Sequence, residues 1–342
     1  MKDCAKELRK YHDEEVTLPK SEQTEMRKRR DANRDRLKRG LERDGKPKAK
    51  EHIVQGSYAM KTMVQHPDND YDIDDGALFW KEELKGSRDG EMSPQAAKQM
   101  VANALKDGAF AQDPVVKTNC VRIVYKAGYH VDIPIYRQLK DQDDTVYELA
   151  STEWKRTNPE GVTEWFKGCV AARKFFTDGD DQLRRVVRYL KTFARSRPSW
   201  NMPSGFILTV LANEKLVFNN LREDEMLRYT MRDIHQRLTY NRAVYHPVLT
   251  GETLTKTTDD ADMRELRDRL EWALEELKAL DDEQTCTRNK ALKTWGRVFN
   301  TDFFDQFLDD NKNGGSKGAG PFVIGASKNP NPVDKQGDGR YA

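Results

Sequence analysis

The spacing of apolar positions changes along the chain and divides it. Residues 1–50 read as two helices. The second, at about 21–44, has only Met26, Leu37 and Leu41 as anchors in a run that is otherwise almost wholly charged. Such a helix belongs across a domain surface rather than through a core. Short alternating stretches at 52–55 and 71–80 predict strands. Ser93-Pro94 followed by an Ala-rich amphipathic run, with Gly108 beyond it, predicts a capped helix. Residues 115–126 and 129–136 read as a hairpin about Ala127-Gly128, and 145–149 as a further strand. Beyond about residue 160 the period becomes helical, with helices expected at 162–176, 180–196, 204–216, 223–239, 259–280 and 286–299. In 180–196, Leu183, Val186, Val187, Leu190 and Phe193 make one stripe. The 204–216 run is apolar on nearly all sides, as a helix buried within the molecule would be. From 311 to 342 the pattern lapses: seven of the 21 glycines fall there with few apolar groups, the composition of a disordered tail. The order is N-terminal helices bracing two lobes (1–50), an α/β catalytic lobe (51–160), a helical lobe completing a cleft (161–310) and the tail (311–342).

Composition narrows the classes. In 342 residues, 37% are hydrophobic and 34% charged, and no stretch approaches the length of a membrane span. Residues 1–15 hold no apolar run, so no secretory signal is expected. The four cysteines, Cys4, Cys120, Cys169 and Cys286, are scattered, which points to neither a zinc site nor a disulfide framework but to a cytoplasmic setting. Net charge is +2, which argues against a nucleic-acid partner. Two basic clusters stand out, one from Arg27 to Arg39 and one comprising Arg184, Arg185, Arg188, Lys191, Arg195 and Arg197. Each reads most simply as a solvated helix face.

The segments bearing chemistry are Gln55-Gly56-Ser57-Tyr58, Asn69-Asp70-Tyr71-Asp72-Ile73-Asp74-Asp75-Gly76, and His130-Val131-Asp132-Ile133-Pro134. On a strand, Asp72 and Asp74 aim to one side while Tyr71 and Ile73 enter the core. Asp132 is expected to point outward from its own strand between Val131 and Ile133. Three carboxylates converging on one sheet face repel one another unless cations fill the gap. Magnesium suits such oxygen ligands, and a pair of ions about 3.5–4 Å apart can activate a hydroxyl and stabilise leaving pyrophosphate. Gly56 lets a phosphate approach the backbone, and Ser57, opening a helix, adds a hydroxyl and amide groups. An EF-hand fails: counted from Asp70, the required glycine is Asp75 and the required glutamate is Lys81.

These motifs resemble the cGAS/DncV-like nucleotidyltransferases (CD-NTases), most nearly the bacterial cyclic GMP-AMP synthase type. QGSYAMKT is similar to the family's phosphate-binding segment, DYDIDDG to its metal-binding strand, and CVRIVYKAGYHVDIPIY to the strand pair with the third aspartate. The resemblance implies an α+β fold, with a polymerase-β-like nucleotidyltransferase lobe and a helical C-terminal lobe. It implies a cyclic dinucleotide or trinucleotide synthase acting in antiphage (CBASS) defence. ATP, GTP or other NTPs would be its substrates, with two Mg2+ ions that Mn2+ can replace. Asp72 and Asp74 would hold both ions and Asp132 one. LRRVVRYLKTFAR places a triphosphate grip on Lys191, MPSGFILTVLA places a phosphate contact on Ser204, and Arg122 corresponds to an arginine facing the nucleotide. The family's base-contacting positions fall on Met60 and Lys61, so base choice does not carry over. It further implies a ubiquitin-transfer-like conjugating enzyme acting on Ala342 and a downstream cyclic-nucleotide effector. The residues alone also accommodate a transferase making linear products or modifying RNA or a small molecule, and an inactive nucleotide-binding scaffold.

Overall fold

The computed structural model describes residues 1–309 apart from 67–70, 87–88, 109–111, 126–128, 142–143, 175–180, 220 and 283. The 311–342 segment with Ala342, the Ala127-Gly128 turn and Asp70 lie outside the described residues.

Two helices open the chain, α1 (Ala5–Tyr11) and α2 (Lys20–Arg43), joined through a wide turn at His12–Val16. β1 (Glu51–Gln55) leads into the five-residue α3 (Gly56–Met60), then β2 (Asp72–Trp80) and α4 (Pro94–Leu105). Ser93 caps α4 as expected, its Oγ accepting from the Ala96 amide at 3.2 Å. Strands β3 (Val115–Val116), β4 (Val121–Val124), β5 (His130–Ile133), β6 (Ile135–Asp141), β7 (Asp144–Ala150) and β8 (Trp154–Thr157) follow. The helical part comprises α5 (Gly161–Lys174), α6 (Gln182–Arg195), α7 (Gly205–Lys215), α8 (Glu223–Tyr240), α9 (Ala261–Leu277) and α10 (Arg288–Phe299). All six expected helices are present.

The strands form one mixed sheet ordered β3-β4-β5-β2-β6-β7-β8, with β1 paired to β2. β5 and β6 both run parallel to β2 and keep the same residue offset, Asp74 opposite Asp132 and Ala77 opposite Ile135. They are therefore one strand interrupted at Pro134, which has no amide hydrogen to give the ladder; its carbonyl still accepts from Ala77 at 2.8 Å. The single strand expected at 129–136 is corrected to this broken one. β8 is additional: its exposed Lys155 and Arg156 leave little alternation to read.

Two apolar cores result. One lies between the sheet and helices α2 and α4, joining Leu37 and Leu41 to Phe79, Val101, Val121 and Ile135. The other fills the helical part around Trp295, Leu270, Phe193 and Leu211, and takes in Leu8 and Tyr11 of α1 with Met60 and Val64. The N-terminal segment therefore serves both cores. It is tied down by the Cys4 amide on Asp224 Oδ2 at 2.9 Å and by the Tyr189 hydroxyl, which donates to the Leu8 carbonyl at 2.7 Å.

Helix α2 crosses α4 at backbone contact. A Cβ on Gly40 would stand 1.7 Å from the Ala104 carbonyl oxygen, so the crossing exists only with glycine there. Intrinsic helix propensity favours alanine over glycine by about 1 kcal/mol. Overpacking against backbone costs about 1–3 kcal/mol in the opposite direction. Gly40→Ala is therefore expected to lower stability in urea unfolding, whereas a gain would mean that the helices part freely.

Candidate active site

Strand alternation sets the carboxylates. On β2, Tyr71 and Ile73 are buried, Asp72 is exposed and Asp74 half-buried. Asp75 points to the other face, where Arg34 of α2 clasps it through two N–H groups at 2.7 and 2.5 Å. The charged helix thereby neutralises the acidic residue that does not belong to the site.

Cross-strand register then aligns a polar row across four strands: Arg122 opposite Asp132, Asp132 opposite Asp74, and Asp74 opposite Gln55. Each end of the row is occupied. Arg122 donates to both Asp132 oxygens at 2.8 Å, a planar fork-to-fork pair. Gln55 accepts from the Tyr136 hydroxyl at 2.9 Å and donates to the Pro159 carbonyl at 2.7 Å. Asp74 sits between, against Gly56. That glycine has φ +64°, and a Cβ on it would lie 2.0 Å from Asp74 Oδ2. Gly56 is thus required both for its left-handed backbone and for the close approach of a carboxylate.

Asp132 lies on the side of the sheet that Asp74 shares, as the alternation predicts. It is not open to solvent there: it is 1% exposed, paired with Arg122 on the neighbouring strand. Among the described residues, no three acidic, imidazole or thiol side chains stand close enough to enclose a metal; Asp132 is turned to Arg122 instead. Arg122 itself directs two of its N–H groups at Asp132 rather than into open space.

Burial, then Asp72, then Asp132 push the Asp74 carboxyl well above the usual carboxylate range, and Arg122 opposes them. Divalent ions would suit such crowding: Asp72 and Asp74 offer hard oxygen donors two residues apart on one side of a strand, beside Asp132.

The remaining expected residues gather on α3, α6 and α7. Ser57 lies in the first turn of α3. Lys191 of α6 is 6% exposed. Its Nζ donates to the Thr62 carbonyl at 3.1 Å and to Thr62 Oγ1 at 3.0 Å. Burial, followed by the charges of Arg195 and Arg188 and opposed by Asp72, pulls its pKa down to about 7. Its stem crosses the start of α7, where a Cβ on Gly205 would meet Lys191 Cε at 2.9 Å. Exposed Ser204 caps α7 by accepting from the Ile207 amide at 3.4 Å. Met60 faces the helical core at 3% exposed, while Lys61 is exposed. Gln55, Thr62 and Tyr136 shape the site from within the segments already singled out, yet sequence reasoning gave none of them a role. Their partners, Pro159 and Lys191 among them, lie far away in the chain.

Gly56→Ala tests this geometry. It forces both a strained φ and a clash with Asp74, so the purified variant is expected to unfold at a lower urea concentration, by about 1–3 kcal/mol. Unchanged unfolding would mean that Asp74 is not held against this turn.

Comparison with known proteins places this geometry. Residues 50–136, which span Gly56, Asp72, Asp74, Arg122 and Asp132, match the family model for the nucleotidyltransferase domain of the "Cyclic GMP-AMP synthase DncV-like" family. The fold as a whole is similar to that of Vibrio cholerae DncV in its apo form, at 16% identity, covering 83% of this chain and 91% of that one with a TM-score of 0.66. Escherichia coli DncV bound to 3'-deoxy GTP aligns at 18% identity, 83% and 92% coverage and a TM-score of 0.65. CdnC from E. coli MS115-1, in complex with a HORMA protein, aligns at 19% identity, 86% and 96% coverage and a TM-score of 0.65. An α+β fold with a helical lobe is thus common to all of them, and residues 50–136, with the site they carry, are similar to the nucleotidyltransferase domain that the DncV-like family model describes.

Proposed function

We propose that the protein joins nucleoside triphosphates by nucleotidyl transfer and closes the product into a cyclic dinucleotide or trinucleotide, a second messenger of antiphage (CBASS) defence. The observation that carries the reading is that Asp74 stands opposite Asp132 on the adjacent strand, with Asp72 two residues before it on the same strand, under a glycine that lets Asp74 reach the Gly56-Ser57 turn.

In this reading, Asp72 and Asp74 hold two Mg2+ ions, which Mn2+ can replace, and Asp132 contributes to one of them. When bound, the ions neutralise triphosphate charge and favour attack by a ribose hydroxyl on the donor α-phosphorus. The chain's own groups do the rest. The amides and hydroxyl at Gly56-Ser57 receive phosphate oxygens at the positive end of α3. Lys191 supplies an ammonium and Ser204 a hydroxyl. Arg122 holds Asp132 in its place in the row, and Asp132 is poised to accept the attacking hydroxyl's proton. ATP and GTP are the first substrates to test. The cytoplasmic setting, a conjugating enzyme acting on Ala342 and a cyclic-nucleotide effector belong to the same proposal.

The test is incubation with four labelled NTPs and Mg2+ or Mn2+, followed by phosphatase. Phosphatase-resistant product is expected, and the Asp72→Ala, Asp74→Ala double variant is expected to make none. Phosphatase-sensitive product would mean linear transfer, and product surviving the double substitution would remove the aspartates from the mechanism.

Lys191 gives a pH signature. Near pH 7 its amine is poised between charged and neutral, and bound triphosphate stabilises the charged form. Above pH 7, binding must therefore take up a proton, and affinity weakens as pH rises toward 9; below about pH 6 the lysine is already charged and contributes no further dependence. Calorimetry of nonhydrolysable NTP binding in buffers of different ionisation enthalpy should show proton uptake at pH 8. Lys191→Gln should abolish it, and uptake unchanged in that variant would assign the proton elsewhere.

A further inference from the structure

The basic cluster on α6 is not a single solvated face: Arg195 is exposed, but Arg184, Arg185, Arg188 and Lys191 are turned onto the protein. Arg185 is buried in a two-point pair with Glu223 of α8 at 2.7 and 3.0 Å. Arg184, Arg188 and Lys191 share another side of the helix, one per turn, and end on three consecutive backbone carbonyls. Arg184 Nε donates to Met60 O at 2.8 Å, Arg188 Nη2 to Lys61 O at 2.6 Å, and Lys191 Nζ to Thr62 O at 3.1 Å.

Those carbonyls are where α3 ends. Lys61 takes the left-handed conformation at φ 58°, and the chain turns away through Thr62, whose amide donates to Ser57 O at 2.9 Å. The carbonyls of a last helical turn have no partner in their own helix, and they carry its negative dipole end. Three cations from one neighbouring helix therefore satisfy and neutralise them together. A five-residue helix cannot hold its own shape in isolation, so its orientation is fixed from outside. At its start, Gln55 is anchored to Tyr136 and Pro159; at its end stand the α6 side chains. Behind the turn, the Thr17–Val64 bridge and the Gln65 amide on Val16 O fasten the next residues to the N-terminal segment.

We propose that Arg184 and Arg188 are positioning residues for the donor triphosphate: by gripping the 60–62 turn they set the Gly56-Ser57 end of α3 at a fixed place relative to Lys191 on the same helix. The inference deepens the nucleotidyl-transfer reading and rests on it. Neither arginine touches phosphate. Each acts through the backbone that does, so losing one loosens the phosphate-binding turn while Asp72 and Asp74 stay on their strand.

The experiment compares wild type with Arg188→Met, Arg188→Lys and Arg184→Met. Steady-state kinetics in the donor NTP are measured together with inhibition by inorganic tripolyphosphate, a probe with neither base nor ribose, and thermal unfolding. Arg188→Met is expected to raise the donor KM and the tripolyphosphate inhibition constant in parallel, each by about tenfold, as loss of a charge-assisted hydrogen bond implies. Arg188→Lys, which can still donate to Lys61 O, is expected to restore most of both. Arg184→Met should act in the same direction, and it decides the matter if Arg188→Met does not fold. A lower melting temperature with both constants unchanged would make these arginines purely structural and overturn the inference. Wild type that transfers no nucleotide would overturn the parent reading, and this one with it.

Discussion

Three carboxylates on two neighbouring strands must be kept from driving those strands apart, and most of the site's construction answers that constraint. Parallel pairing puts Asp74 directly opposite Asp132, with Asp72 one alternation away on the same strand. At such separations, and partly shielded from water, like charges repel strongly. Two arginines take up part of the acidic charge. Arg122 takes Asp132 from the flank. Arg34 draws Asp75 off to the opposite face. Burial, Asp72 and Asp132 together raise the affinity of Asp74 for a proton. In the proposed reading, divalent ions and a triphosphate would relieve that crowding.

The helical part supplies the complement. Its α6 brings cations to the end of α3, and its α7 begins beside Lys191. Negative strands from one core and positive helix faces from the other thus meet at the Gly56–Thr62 segment. The packing agrees: Met60 and Val64 belong to the helical core, whereas Ile73, on the strand that follows, belongs to a small cluster with Tyr129, Met26 and Leu18. The Gly56–Thr62 turn is the seam between the two halves, so its geometry reports on both.

Much of this was readable in one dimension. Alternation around Ile73 identified Asp72 and Asp74 as the pair, the helical period located all six C-terminal helices, and Ser93-Pro94 marked the start of α4. What was not readable depends on partners remote in sequence. Arg122 and Asp132 are each an ordinary alternating strand residue, and only the β4–β5 register joins them, which is why Asp132 was expected to be open and is covered. The α6 arginines read as solvated because periodicity describes a helix against itself and cannot say that another turn's carbonyls lie opposite. Pro134 breaks the ladder without breaking the strand's course, so one predicted strand became two. Gly40 gives no signal at all until α4 is laid across it.

The central claim is that Asp72 and Asp74 form the metal-binding edge of a triphosphate site. The most direct measurement is anomalous diffraction from crystals grown with Mn2+ and a nonhydrolysable NTP. The account predicts manganese peaks within coordination distance of the Asp72 and Asp74 carboxylates, bridged to the triphosphate, and their loss in the Asp72→Asn, Asp74→Asn double variant. Ordered nucleotide with no manganese at these two side chains would contradict it.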